Sequence, residues 1–191
     1  MWWNFALLYF IVLAVALLLW ILCTSLYTHY QRFVLFQQAA DRAFAQKREL
    51  IVIGDPKKGL ACKVFGQAYG YGSYAVDIRP VDDRCYAKDA TEFLQKFQGS
   101  SCVIFISCVL EYVDNITELV YEINRVAGSN KNVFVVRVPQ YSPQSFFYKF
   151  QGDESKHIIT AAPPYQDYWS WIDLDTLKTT FYDKDNRIFS F

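Results

Sequence analysis

Four places where an apolar run gives way to polar residues hold the groups capable of chemistry. Gly54-Asp55 follows Leu50–Ile53, Asp77 follows Tyr74–Val76, Asp89 follows Cys85–Lys88, and Ser107 follows Cys102–Ile106. A carboxylate accepts from two neighbouring hydroxyls at once, so acids at successive strand ends suit a ligand rich in hydroxyl groups. Asp77 stands 23 residues beyond Gly54, near the spacing at which nucleotide-binding folds place an acid on a ribose. Taken singly, each Asp is also an ordinary strand-end turn residue. Gly54 and Gly59 have the spacing that opens a phosphate-binding loop, but Leu60-Ala61 stand where Lys and Ser/Thr must follow. Without that amine and hydroxyl nothing grips the phosphates or Mg²⁺, so nucleoside triphosphate hydrolysis is rejected. Pro56 replaces the second glycine of a dinucleotide loop; it has no N–H for a pyrophosphate and blocks close backbone approach.

Other chemistries lack residues. The five cysteines (Cys23, Cys62, Cys85, Cys102, Cys108) include no C-x-x-C pair, and His29 and His157 stand far from any pair of them. That pattern reads as reduced thiols and no metal site. Nineteen basic residues balance nineteen acidic ones, which argues against a nucleic-acid partner, since phosphate binders show a basic face. His157 sits among Asp153, Glu154 and Lys156 as a solvated surface residue. Ala162-Pro163-Pro164-Tyr165 is read as a double-proline turn.

The elements that must position these groups alternate between strand and helix. Leu50–Ile53, Tyr74–Ile78, Cys85–Lys88, Cys102–Ile106 and Val133–Val138 read as strands, the fourth and fifth apolar on both faces. Lys57–Tyr69 and Ala90–Phe97 are helix-compatible. The clearest helix opens at Asn115, with Glu118 three residues on and a stripe of Ile116, Leu119, Val120, Ile123 and Val126, and stops at Gly128. Asn115 also begins the chain's one N-glycosylation sequon, read here as a helix cap. The alternation predicts an α/β domain with a Rossmann-like, doubly wound, mostly parallel sheet. After Pro139 the chain turns Tyr- and Phe-rich and closes in a predicted antiparallel hairpin, Thr179–Tyr182 with Arg187–Phe191.

The first thirty-one residues carry no Lys, Arg, Asp or Glu, and an unbroken apolar run extends from Phe5 to Cys23. Those 19 residues span about 28 Å as a helix, enough to cross a bilayer's hydrocarbon core. Trp2, Trp3, Trp20 and Tyr27 flank it as interfacial rings. A signal peptide would want a basic start and a shorter core, and a buried helix would want a polar side. The reading is one N-terminal transmembrane helix (1–27), a juxtamembrane helical linker (28–48) and an α/β domain (49–191). Phe33, Phe36, Ala40 and Phe44 recur at helical spacing, either to pack on the domain or to lie on lipid. Arg32, Arg42, Lys47 and Arg48 follow the span and no cation precedes it, so the N-terminus is expected outside and the domain in the cytosol.

The segment Ser107-Cys108-Val109-Leu110-Glu111-Tyr112-Val113-Asp114-Asn115, followed by Leu119-Val120-Tyr121-Glu122-Ile123-Asn124-Arg125-Val126, resembles the fourth-strand region and following helix of class I S-adenosylmethionine-dependent methyltransferases of the type 11 kind. The resemblance spans about residues 49–139. It implies S-adenosylmethionine as cofactor, with Gly54, Asp55, Gly59 and Ser107 around it, Asp77 on its ribose and Asp89 on its adenine. Departures from the family pattern are Val52 where an acid is usual, Pro56 for a glycine, Lys57-Lys58 intruding before Gly59, and Tyr112 for the family's histidine. Two functions follow as expectations. One is methyl transfer to a lipid or membrane-proximal acceptor. The other is an inactive methyltransferase-fold module with a structural or interaction role in a membrane complex or virion, meeting protein partners through its aromatic C-terminal region.

Overall fold

The computed structural model describes residues 2–110, 113, 116–136, 180–182 and 188–190. The expected Asn115 cap, the Glu111-Tyr112 pair, the Pro139 stop, His157 and the 162–165 turn lie outside the described residues. So does most of the aromatic C-terminal region. Helix α1 runs uninterrupted over Trp2–Gln46. It is long and apolar enough to cross a membrane, with mean hydropathy 2.9 in its most apolar window and none of that window buried.

The domain is built on β1 (Glu49–Ile53), β2 (Tyr74–Asp77), β3 (Tyr86–Ala87), β4 (Cys102–Ser107) and β5 (Val133–Val136), all parallel, in the order β3-β2-β1-β4-β5. The chain thus steps outward from β1 to β3, returns to lay β4 beside β1, and finishes at β5. Helices α2 (Leu60–Phe65), α3 (Ala90–Leu94) and α4 (Ile116–Ala127) connect the strands. Two further strands, β6 (Thr180–Tyr182) and β7 (Ile188–Ser190), pair antiparallel in a separate two-stranded sheet. The second helix is shorter than the sequence suggests, because Gly66 in a left-handed conformation ends it after six residues.

Strand side chains alternate between two cores. Ile51, Ile53, Val76, Ile104 and Ile106 point to one face, where Phe93 and Leu94 of α3 and Leu119, Ile123 and Val126 of α4 cover them. Leu50, Val52, Ala75, Val103 and Phe105 point to the other, where Leu35, Ala39 and Ala43 of α1 cover them. The segment expected as a linker is therefore one layer of the domain. Its packing stripe is also rotated from the expected one: Phe33 and Phe44 are 52% and 88% exposed. Alanines at i and i+4 let the helix approach the sheet closely, which a phenylalanine at the contact would prevent. Phe36 then reaches over the strand ends, edge-on to Phe105 at 5.5 Å.

The helix runs antiparallel to the strands. Near its C-terminal end Gln46 Nε2 donates to Asn132 Oδ1 at 3.0 Å, and just beyond it Arg48 donates to the Ala127 carbonyl at 3.3 Å, both at the N-terminal edge of the sheet. Fifteen residues earlier, counting back from Lys47, Arg32 reaches α2 beyond the C-terminal ends. Truncation to residues 49–191 should strip the cover from Val52, Val103 and Phe105 and give an aggregating chain without cooperative unfolding. A chain starting at residue 24 should unfold cooperatively, and thermal unfolding followed by circular dichroism distinguishes the two. Phe105→Ala should cost about 3–5 kcal/mol in the full chain, measurable by denaturant titration.

Candidate functional site

In an open parallel sheet, ligands bind beyond the C-terminal strand ends where strand order reverses, here between β1 and β4. Gly54 sits at that point with φ +109°, a conformation closed to ordinary L residues. A Cβ on it would stand 2.8 Å from the Ser107 carbonyl oxygen and 3.1 Å from Val109 Cγ2. The missing side chain therefore lets the loop after β1 pack on the loop after β4.

Asp55, the next residue, is buried, and its carboxylate is surrounded by the chain's own amides. Oδ2 accepts from the N–H groups of Val81 (2.6 Å) and Asp82 (3.2 Å), and Oδ1 accepts from the Lys57 N–H (2.8 Å). Its own N–H donates to Asp77 Oδ2 at 3.1 Å, and its carbonyl accepts from the Tyr69 hydroxyl at 3.0 Å. One side chain thus ties the loops after β1 and β2 together. Asp77 is equally committed: besides the Asp55 amide it accepts from the Arg79 N–H at 2.8 Å and pairs with the Lys58 ammonium. Asp82, which sequence reasoning missed, pairs with Lys57 and Arg84 and accepts from the Tyr71 hydroxyl at 2.5 Å. Arg84 also lies over the Tyr71 ring at 4.1 Å.

The electrostatics follow from this mesh. Hydrogen bonds from Arg84, Lys57 and Tyr71 hold the Asp82 carboxyl well below the usual carboxylate range. Burial, together with the bond to Asp82, pushes the Tyr71 phenol up to about 12. Burial, reinforced by Asp55, pushes the Cys85 thiol up to about 12, and burial also raises Cys102, so both stay protonated and unreactive.

The remaining sequence-predicted residues separate. Asp89 caps α3, accepting from the Thr91 N–H (2.8 Å) and Glu92 N–H (3.3 Å). Gly59, with φ +105°, leaves room for the Arg32 guanidinium, whose Nη1 stands 3.2 Å from where a Cβ would be. Ser107 Oγ is buried beside the Tyr69 hydroxyl without a hydrogen bond of ordinary geometry. Arg125, part of the motif behind the family resemblance, donates to the Phe97 (2.7 Å) and Leu94 (3.0 Å) carbonyls and pairs with Glu122, pinning α4 to the end of α3. A cavity of ≈ 300 Å³ lined by Tyr71, Tyr74, Asp83, Arg84 and Tyr86 lies at the β2–β3 edge rather than at the order reversal. Among the described residues no three His, Cys, Asp or Glu side chains converge as metal ligands.

The arrangement joins loops; among the described residues it sets no nucleophile beside a base. The missed residues Asp82, Tyr69 and Arg32 belong to no motif, and only tertiary folding brings them to the strand ends.

Two predictions follow from the mesh. Asp55→Ala orphans the Val81 and Asp82 amides and should cost about 3 kcal/mol, at about 1–3 kcal/mol per buried unpaired group, read from denaturant midpoints. Because the folded Asp82 pKa lies below the unfolded one, its contribution is present above about pH 4 and is lost as pH falls. Asp82→Asn should therefore flatten the acid limb of a stability–pH curve below about pH 4 while lowering stability at pH 7.

Comparison with known proteins brings no relative to bear on this site: no family model, no curated protein and no solved structure matches the chain.

Proposed function

We propose that this chain is a membrane-anchored α/β module of the Rossmann-like, class I methyltransferase pattern whose cofactor crevice is filled from within, and that it serves a structural or interaction role rather than turnover. The observation that carries the reading is the state of Asp77. The acid that would receive a ribose already accepts from two backbone amides and pairs with Lys58. A nucleoside would have to displace a charge-assisted pair whose carboxylate is largely buried. The intruding Lys57-Lys58 pair, a departure from the family pattern, supplies both lysines that neutralise Asp82 and Asp77.

On this reading α1 is a single membrane span with its N-terminus outside, the domain stands in the cytosol, and β6 and β7 form a C-terminal hairpin. The aromatic region around them is the surface for protein partners. A second reading, methyl transfer from S-adenosylmethionine to a lipid or membrane-proximal acceptor, has its own support. The β3-β2-β1-β4-β5 order is shared by nucleotide-binding doubly wound sheets, and Asp55, Asp77 and Asp89 do stand at successive strand ends.

Calorimetric titration of the detergent-solubilised full chain with S-adenosylmethionine and S-adenosylhomocysteine separates the two. The module reading expects no heat of binding at millimolar ligand with the protein shown folded. Micromolar binding, abolished by Asp77→Ala and by Asp89→Ala, would establish the methyl-transfer reading instead.

A further inference from the structure

Arg32 is the first charged residue of the chain, and its guanidinium turns toward the domain. Nη1 donates to Cys62 Sγ at 3.6 Å, while Nε is buried and bonds no acceptor. Among the described residues no carboxylate pairs with it. Every other nearby cation at the strand ends that meets a buried acid (Lys57, Lys58, Arg84) has that acid as its partner. A guanidinium packed against thiols and a phenol is missing its anion.

It is not alone. Five buried polar side-chain atoms among the described residues lack a partner: three, Ser25 Oγ, His29 Nδ1 and Arg32 Nε, lie on this stretch of α1, and a fourth, Ser107 Oγ, at the end of β4. Ser25, His29 and Arg32 are spaced four and three residues apart, so they share one face of α1. That face continues downward through Phe36, Ala39 and Ala43, which pack on the sheet. The polar half of the stripe overhangs the strand ends.

The height of this cluster is set by covalent geometry. Arg32 lies five positions beyond Tyr27 and nine beyond Cys23, or about 8 and 14 Å along a helix at about 1.5 Å per residue. A headgroup layer is about 5–7 Å deep on each side of a hydrocarbon core of about 30 Å. With α1 crossing a bilayer, Arg32 stands just beyond the headgroup layer, where its long side chain still reaches a phosphate, and the C-terminal edge of the sheet faces the lipid. That edge also exposes Val64, Phe65, Ile78 and Val81, interleaved with Lys63 and Arg79, an apolar-and-basic surface suited to an anionic interface.

We infer that the junction between α1 and the ends of β1 and β4 receives the anionic headgroup of a membrane phospholipid, its phosphate held by Arg32 and its other oxygens by Ser25, His29 and Ser107. Part of Arg32 stays open, which leaves an anion a way to it. The inference rests on α1 spanning a membrane and not on any statement about methyl transfer.

The test uses the full chain in maltoside micelles, titrated with dihexanoyl phosphatidylglycerol, dihexanoyl phosphatidylcholine and glycerol 3-phosphate. Readouts are the thermal midpoint and the ¹⁵N resonance of Arg32 Nε–H. Phosphatidylglycerol should raise the midpoint and shift the resonance, and phosphatidylcholine should do neither. Glycerol 3-phosphate should bind at least about tenfold more weakly, and Arg32→Gln should weaken phosphatidylglycerol binding about tenfold, as expected for a lost charge-assisted hydrogen bond. Lys131→Gln, exposed beside Asn132 at the opposite edge of the sheet, should change it less than about twofold. If Arg32→Gln does not fold, the wild-type resonance decides by itself. An unmoved Arg32 resonance at saturation, or undiminished affinity in a folded Arg32→Gln, overturns the site. Glycerol 3-phosphate binding as tightly as phosphatidylglycerol overturns the lipid as occupant.

Discussion

The seating of Leu35, Ala39 and Ala43 on Val52, Val103 and Phe105 is the contact on which the other features depend. A parallel sheet must be covered on both faces, because its strands are apolar on both. Here α3 and α4 cover one face, and the continuation of the apolar N-terminal helix covers the other. The two alanines, fully or almost fully buried, bring helix and sheet within van der Waals contact. The apolar segment and the cover of the sheet are consequently one continuous helix. The antiparallel course of α1 against the strands then fixes which edge of the sheet lies toward the apolar segment.

The C-terminal edge of the sheet is held together by charge matched to charge. Asp55 gathers three backbone amides from two loops, and Asp77 and Asp82 each take a lysine from the stretch between Gly54 and Gly59. Buried carboxylates tolerate this setting only when fully bonded. Their depth and their commitments are two sides of one arrangement. Gly54 belongs to the same logic, since any side chain there would part the β1 and β4 loops. In such a mesh Arg32 stands out as a cation whose counter-ion is not supplied by the described residues.

Features under the control of local pattern could be read without the fold. The apolar helix and the stripe of α4 were legible from unbroken or periodic apolar residues, and the strands from short apolar runs ended by turn residues, all local signals that can be read without knowing the neighbours. Asp89 was legible as a turn residue for the same reason, since an N-cap bonds only two and three positions ahead. The packing stripe of α1 was not. Phe33 and Phe44 fit a helical period as well as Leu35 and Ala43 do, and only the shape of the sheet face selects the small residues. The partners of Asp55, Asp77 and Asp82 were likewise out of reach, because Val81, Lys58 and Lys57 meet them through loops that have no period at all. Tertiary structure decided those pairings, and with them whether the acids at the strand ends face a ligand or the chain itself. The physical reason is that propensity and periodicity act over a few residues. Satisfying a buried charge instead requires whichever groups the fold brings within hydrogen-bond distance.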